Sequence, residues 1–208
     1  MRNSRIADMI VQVNVGKEER AAMNGLERQK KQPFDYNIVL IGFMGTGKTT
    51  VSRYLSAMFG MDMIEMDQEI ADREKMSIPE IFSTYGEEYF RELETRLLIE
   101  FQDRKNVIIS CGGGTPLRAQ NVAEMKKNGR VVLLTASPET VYERVKDSED
   151  RPVLNGRKNV AGIAELMEQR REKYESAADL VVQTDHKTVA QICEEMAERL
   201  KEMEEEDV

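Results

Sequence analysis

An apolar run that ends in a glycine-rich loop constrains the fold of this chain more than any other feature. The stretch "NIVLIGFMGTGKTT" covers residues 37–50, and residues 42–49 fit the phosphate-binding pattern G-x-x-x-x-G-K-[ST]. Glycines allow the backbone to approach phosphate oxygens closely, because no Cβ intervenes. The helix that follows would present free N–H groups and the positive end of its dipole. We therefore predict a strand, a nucleotide-binding loop and a helix. A glycine-rich turn without a ligand is the simpler alternative.

The loop also supplies the polar groups that a nucleotide requires. Lys48 can reach the β- and γ-phosphates, and the Thr49 hydroxyl is a suitable Mg²⁺ ligand. The residues of the loop that we predict to bind ATP are Gly45, Thr46, Gly47, Lys48, Thr49 and Thr50.

Short apolar runs alternate with helical stretches from residue 34 onward. The runs are "NIVLIG", "MDMIEM", "NVIISC", "RVVLLT" and "DLVVQT". This alternation predicts an α/β fold with a parallel sheet and helices on both of its faces. Two helix starts are also predicted: Ser77 and Glu80 form a capping-box pattern, and Ser137 precedes a proline.

The chain divides into an extension and one domain. Residues 1–32 carry seven Lys or Arg against four Asp or Glu, and Pro33 interrupts the chain before the first apolar run. We therefore predict an N-terminal extension of unknown role over residues 1–33 and a single domain over residues 34–208.

Composition excludes several classes of function. A net charge of −8 argues against a general nucleic-acid binder, and the chain has no run of 18 apolar residues that could cross a membrane. The two cysteines, Cys111 and Cys193, are too few for a disulfide framework, so we expect a cytoplasmic protein. A single histidine, His186, makes Ser-His catalysis and a histidine metal site poor hypotheses.

Four further sequence motifs limit the possible functions of a nucleotide-binding chain. The N-K-x-D element with which GTPases bind guanine is missing, which argues against a GTPase. Four motifs follow the phosphate loop, in the order "EMDQEI", "GEEYFRELE", "SCGGGT" and "RPVL". In addition, an arginine stands four residues before a tyrosine in "RREKY". With these motifs, residues 35–200 closely resemble shikimate kinase. The resemblance implies the P-loop NTPase fold: a three-layer α/β/α arrangement with a five-stranded parallel sheet, a lid at about residues 147–160 and a substrate-binding subregion.

The resemblance also implies an activity. Shikimate kinases transfer a phosphoryl group from Mg²⁺-bound ATP to the 3-hydroxyl of shikimate, on the route to chorismate and the aromatic amino acids. We accordingly expect a monomeric enzyme whose partners are shikimate and ATP, with no nucleic-acid or membrane partner.

Asp67 matches the family aspartate that orients or deprotonates the reacting hydroxyl. A carboxylate just beyond the carboxyl end of a strand, near the phosphate loop, suits that role. The alternative is that Asp67 only caps the next helix, and the two roles are compatible.

Two arginines match those that hold the substrate carboxylate, Arg91 in "YFR" and Arg170 in "RREKY". A planar guanidinium suits bidentate carboxylate recognition. Arg171 is an adjacent competitor for the second role. The loop of Gly112, Gly113 and Gly114 matches the one that approaches the substrate, and Gly113 is expected to make the direct contact.

The remaining matches concern ATP and the metal. Arg151 matches the lid arginine that stabilises charge on the transferred group, and with Lys48 and Asp67 it completes the catalytic set. Arg144 matches the arginine that packs on adenine, and Lys187 lies in the loop on the other side of that site. Thr49 and Glu65 are the expected Mg²⁺ ligands, although the family usually has aspartate where this chain has Glu65.

Two alternatives remain. Another small-molecule hydroxyl kinase, such as a gluconate kinase, would share the loop, the fold and the lid. The second alternative is a nucleotide-binding regulatory module without phosphoryl transfer. The presence of Lys48, Thr49, Asp67 and Arg151 argues against this alternative.

Overall fold

Five parallel strands form the sheet of this protein. The computed structural model describes residues 34–146 and 159–206. Within these ranges the strands are β1 (Asn37–Ile41), β2 (Asp62–Glu65), β3 (Val107–Ser110), β4 (Gly129–Thr135) and β5 (Leu180–Gln183). Their order across the sheet is β2-β3-β1-β4-β5, and every neighbouring pair is parallel. The parallel sheet predicted from the apolar runs is thus confirmed.

Helices cover both faces of the sheet. They are α1 (Lys48–Phe59), α2 (Met66–Glu74), α3 (Ile78–Glu100), α4 (Ala119–Lys127), α5 (Pro138–Val145), α6 (Val160–Ala177) and α7 (Val189–Glu206), with short 3₁₀ turns at Phe101–Asp103 and Thr115–Leu117. Helices α1 and α7 pack on one face, and α2 to α6 pack on the other. The three-layer α/β/α arrangement is therefore confirmed.

The two cores follow from the alternation of side chains along a strand. Val39 and Ile41 enter the core with α3, whereas Ile38 and Leu40 enter the core with α1. Strands buried on both faces are apolar along nearly all of their length, and in β1 four apolar residues, Ile38 to Ile41, follow the buried Asn37.

Local signals fix two helix starts as predicted. Ser77 and Glu80 form a complete capping box at the start of α3. Ser137 caps α5 by accepting a hydrogen bond from the Thr140 amide. Within α3, Gly86 has a φ of 83° and a non-helical ψ, so a kink separates residues 78–85 from the segment that carries "EEYFR".

Some predictions lie outside the described residues. They include the extension 1–33, most of the lid (147–158) and Arg151 within it. The last two lid residues are described: Asn159 caps α6, and Val160 is its first residue. Among the described helices, none is long and apolar enough to cross a membrane.

Candidate nucleotide and substrate site

The predicted phosphate loop lies between β1 and α1, where the chain needs glycine. Gly42, Gly45 and Gly47 have φ values of 143°, 77° and 98°, which side-chain-bearing residues rarely adopt. A Cβ on Gly42 would also overlap the Leu134 carbonyl at the end of β4. Gly47 is the N-cap of α1, so the first free N–H groups of that helix face the loop. The loop therefore has the backbone geometry of an anion site.

Lys48 folds back over this loop. Its Nζ donates hydrogen bonds to the carbonyls of Gly42 at 2.9 Å and Phe43 at 3.0 Å. The buried Thr46 hydroxyl donates to the Phe43 carbonyl at 2.8 Å and tightens the turn. The loop thus brings a cation to the amino end of α1, where phosphate charge would lie. Thr50 is exposed on the first turn of α1.

Glu65 and Thr49 offer oxygen ligands next to the loop. The Thr49 hydroxyl donates to Glu65 Oε2 at 3.1 Å. Burial raises the pKa of Glu65, against the lowering effects of the Ser110 and Thr49 hydroxyls and of Arg53 and Lys48. Glu65 Oε1 is buried and makes no hydrogen bond of ordinary geometry to the described residues, although Ser110 is near enough to affect the pKa. An orphaned carboxylate oxygen beside a hydroxyl fits a hard cation such as Mg²⁺.

This candidate metal site is incomplete without a ligand. No group of three or more His, Cys, Asp or Glu side chains that could hold a metal occurs in the part of the chain that the structure describes. Mg²⁺ is commonly held by one or two carboxylates, with water and substrate phosphates filling the other positions. Glu65 and Thr49 therefore fit a metal that arrives with a nucleotide.

The nucleotide end of the site joins α5 to the loop after β5. Arg144 donates from Nη1 to the Gly45 carbonyl at 3.0 Å and to Thr184 Oγ1 at 3.2 Å. The buried Asp185 carboxylate accepts from the Ser137 amide at 3.0 Å and from the Thr140 hydroxyl at 2.6 Å. Although burial favours the neutral acid, these hydrogen bonds hold the pKa of Asp185 well below its usual range. Asp185 thus fixes the start of the helix that carries Arg144.

Lys187, predicted to bind ATP, lies in this loop with its ammonium group engaged. Its Nζ pairs with Glu195 Oε2 of α7 at 2.5 Å, and the side chain is half-buried. The structure therefore places Lys187 in the loop after β5, with its charge directed toward Glu195 of α7.

Asp67 is an exposed residue in the first turn of α2. The N-cap of that helix is Glu65, which makes no side-chain capping bond, so the capping alternative for Asp67 is not supported. Asp67 Oδ1 would lie 2.6 Å from a Cβ on Gly112. The structure therefore brings Asp67 to the glycine loop.

Arg91 is held by two glutamates of its own helix. Nη1 donates to Glu94 Oε2 at 2.7 Å, while Nε and Nη2 donate to Glu87 Oε1 at 3.2 and 2.9 Å. Burial lowers the pKa of Arg91, but Glu94 and Glu87 more than compensate and leave that pKa raised. Three of its five N–H donors are thus used, which leaves one on each terminal nitrogen. A carboxylate could accept hydrogen bonds from these two donors.

Glu94 is a buried residue of the candidate site that the sequence analysis did not identify. Its side chain is 0% exposed, and its two oxygens accept from Arg91 and from the Thr115 hydroxyl. Burial raises its pKa, Arg91 and Thr115 lower it, and the Asp67 charge raises it further. The i,i+3 spacing of an arginine and a glutamate in "RELE" is the signal that could have identified this pair.

The three glycines of the loop differ in what surrounds them. A Cβ on Gly112 would meet Asp67 at 2.6 Å and Glu94 Oε1 at 3.0 Å, and one on Gly114 would overlap the Arg91 guanidinium. A Cβ on Gly113 would only touch its neighbours, at 3.7 Å from Gly42 O and from Met44 N. Gly112 and Gly114 are therefore glycines because Asp67 and Arg91 occupy the space, whereas Gly113 adjoins the phosphate loop.

The structure separates Arg170 from its neighbour Arg171. The guanidinium of Arg170 lies over the Phe43 ring, with 5.8 Å between its Cζ and the ring centroid. Arg171 is exposed and pairs with Glu168 at 2.7 Å. Only Arg170 therefore lies against the phosphate loop.

Tyr174 is a second residue without a role in the sequence analysis. It lies one turn beyond Arg170 on α6, is 5% exposed, and donates to the Gly113 carbonyl at 2.5 Å. The arginine-to-tyrosine spacing was visible in the sequence, but the contact joins residues that are 61 positions apart.

The comparisons with known proteins agree on one family. The shikimate kinase family model matches residues 44–201. A shikimate kinase of Persephonella marina is 41% identical over 79% of this chain and 99% of its own length. The solved shikimate kinase from Acinetobacter baumannii in complex with shikimate is 29% identical, with a TM-score of 0.76 over 86% of this chain and 97% of that one. A gluconokinase from Sinorhizobium meliloti, at 18% identity and a TM-score of 0.51 over 82% of this chain and 98% of that one, shares the fold alone.

The crowding around the glycine loop predicts an unequal response to alanine. Gly112→Ala and Gly114→Ala should each cost about 1–3 kcal/mol, the usual range for forced overpacking. Gly113→Ala has ordinary van der Waals space and should lie within about 0.5 kcal/mol of the wild type. Denaturant unfolding of the three variants measures this, with Gly113→Ala as the matched control. Equal losses at all three positions would contradict it.

Proposed function

This chain belongs to the shikimate kinase family, and from that premise we propose that it phosphorylates the 3-hydroxyl of shikimate with ATP. The products are shikimate 3-phosphate and ADP. The contact between the glycine loop and the phosphate loop carries this proposal, because a Cβ on Gly113 would lie 3.7 Å from Gly42 O. An acceptor held at the glycine loop would therefore lie beside the γ-phosphate of a nucleotide held at the phosphate loop.

We further propose that Arg91 and Arg170 bind the shikimate carboxylate. Arg91 keeps one N–H on each terminal nitrogen beyond its bonds to glutamate, and Arg170 brings a second guanidinium from α6 to the phosphate loop. Two planar donors suit a carboxylate fixed on a rigid ring. A gluconate kinase would have less use for this arrangement.

Asp67 is assigned to the reacting hydroxyl. The hydroxyl oxygen attacks the γ-phosphorus, the bond from that phosphorus to the β,γ-bridging oxygen breaks, and the Asp67 carboxylate takes the hydroxyl proton. ADP leaves with the bridging oxygen. The exposed carboxylate beside Gly112 supports this role, since the loop would hold the acceptor.

Charge neutralisation supplies much of the remaining catalysis. Lys48 already lies over the phosphate loop, and Arg151 is assigned to the lid by the family resemblance. In this proposal Gly45 to Thr50 surround the phosphates, and Arg144 and Lys187 lie beside the adenine ring. Thr49 and Glu65 would hold Mg²⁺, which neutralises charge on the β- and γ-phosphates when bound.

We also propose a cytoplasmic monomer whose catalytic domain is residues 34–208. Both cysteines are free and buried, which suits a reducing compartment. Of the described residues, the exposed large apolar ones are Tyr85 and Ile99 of α3 and Val181 of β5. The edge strand β5 is partly capped, since Arg199 donates to the Val181 carbonyl at 2.6 Å.

Substrate choice tests the proposed function directly. A coupled ADP-release assay with shikimate and gluconate side by side should show turnover of shikimate alone. Arg170→Lys should raise the shikimate KM by about tenfold or more, equal to about 1.4 kcal/mol, because lysine loses the planar fork. Arg171→Lys is the matched control and should leave that KM unchanged. Preference for gluconate, or no phosphoryl transfer to either compound, would refute the proposal.

The catalytic role of Asp67 predicts a loss of turnover without a loss of ATP binding. Asp67→Asn should lower kcat by about 10²–10⁴-fold, the usual contribution of a general base. Asp72→Asn, an exposed acid on the same helix, serves as the control. A near-normal kcat in Asp67→Asn, together with a lower Tm, would assign the residue to helix stability instead.

The Mg²⁺ assignment predicts that Glu65→Asp keeps or improves activity. The shorter acid restores the usual family residue, and Mg²⁺ requires near-ideal octahedral geometry. Rates measured across a Mg²⁺ titration, together with the Mg²⁺-dependent rise in Tm at fixed ADP, give the comparison. Glu69→Asp, in the first turn of the helix that follows Glu65, is the control. A large loss of both responses in Glu65→Asp would show that this site is built around the longer side chain.

A further inference from the structure

The Tyr174 hydroxyl joins α6 to the glycine loop. It donates to the Gly113 carbonyl at 2.5 Å, and the ring is almost wholly buried. Among the described residues, Tyr174 is the hydrogen-bond donor to the Gly113 carbonyl. Phenylalanine at this position would remove the donor to that carbonyl, and the loss of a partly buried hydrogen bond is unfavourable.

Arg170 lies four residues before Tyr174 on α6, so the two side chains share one face of that helix. Burial raises the pKa of Tyr174, while the charge of Arg170 and a hydrogen bond from it lower that pKa in part. The hydroxyl therefore stays protonated near neutral pH and can donate to Gly113. Its oxygen remains an acceptor on the side of Arg170. Tyr174 thus contacts both the arginine assigned to the substrate carboxylate and the loop assigned to the substrate ring.

Because the peptide is planar, the hydrogen bond to the Gly113 carbonyl also fixes the orientation of the Gly114 N–H. The Gly113 carbonyl and the Gly114 N–H belong to one planar trans peptide and point in opposite directions. Fixing the carbonyl toward Tyr174 therefore fixes the Gly114 N–H toward the opposite side. Neither Gly113 nor Gly114 donates its N–H to another of the described residues. These donors remain available to a ligand.

We propose that Tyr174 is a positioning residue for shikimate, which sets the Gly113–Gly114 peptide and the Arg170 guanidinium relative to each other. The inference rests on the proposed function. Loop and helix are distant in sequence, and glycines resist disorder weakly because they lose the most conformational freedom on folding. The partly buried hydrogen bond from Tyr174 on α6 restrains this loop. The residue acts through its neighbours and touches no reacting atom.

Tyr174→Phe tests this with the loss of one oxygen atom. The shikimate KM should rise by about tenfold, equal to about 1.4 kcal/mol, while the ATP KM stays near the wild-type value. Amide exchange of Thr115 and Leu117, whose N–H groups bond to Gly112 and Gly114, should become about tenfold faster, since local opening controls exchange.

Tyr89→Phe is the matched control. Tyr89 also loses a hydroxyl hydrogen bond, to Glu74 at 2.9 Å, so it reports the effect of a hydroxyl deletion away from the loop. It should leave both KM values and the loop exchange unchanged.

The outcomes separate the two proposals. Wild-type protein that fails to phosphorylate shikimate would overturn the proposed function and this inference together. Active wild-type protein with an unchanged shikimate KM in Tyr174→Phe would overturn this inference alone. Equal rises in both KM values, with a lower Tm and unchanged loop exchange, would also overturn it, since they indicate a purely structural role.

Discussion

The burial of the Glu94 carboxylate is the constraint on which the substrate half of the site depends. A buried charge is tolerated only when it is paired and hydrogen-bonded, and Glu94 meets that requirement with Arg91 and Thr115. The same requirement draws the loop after β3 against α3, and Asn121 of α4 extends the network by donating to the Thr115 carbonyl. Arg91 therefore has one position, which the absence of a Cβ on Gly114 allows.

In the nucleotide-binding half of the site, too, a buried carboxylate is stabilised by hydrogen bonds. Asp185 is buried and ties the end of β5 to the start of α5, so that Arg144 reaches the Gly45 carbonyl. The halves meet where Gly113 and Arg170 adjoin the phosphate loop. This meeting point follows from sheet order, because β1 lies between β3 and β4 and the carboxyl ends of parallel strands share one edge.

Residues that act through local geometry could be predicted from the sequence. The phosphate loop, the Ser77 capping box and the alternation of strands and helices depend on near neighbours in the chain, and the structure has each of them. The i,i+3 spacing indicates that Arg91 and Glu94 can pair, but the burial of Glu94 and Tyr174 could not be predicted, because a glutamate in a helix and a tyrosine beside charged residues are usually surface features. Their partners Thr115 and Gly113 lie 21 and 61 residues away, so packing alone identifies them.

The position of Lys48 has a consequence for the energetics of nucleotide affinity. Its ammonium group already makes two hydrogen bonds to carbonyls of the loop, and an incoming phosphate must replace them. The enthalpy of nucleotide binding would therefore be the difference between the hydrogen bonds that Lys48 gains to phosphate and those that it loses to the loop. This difference is smaller than the sum of the contacts in the complex. In return, the lysine is already confined to the loop, so little side-chain entropy is lost when the nucleotide arrives. Compared with a loop whose lysine is free in solvent, such a loop should therefore bind a nucleotide with a smaller favourable enthalpy and a smaller loss of side-chain entropy.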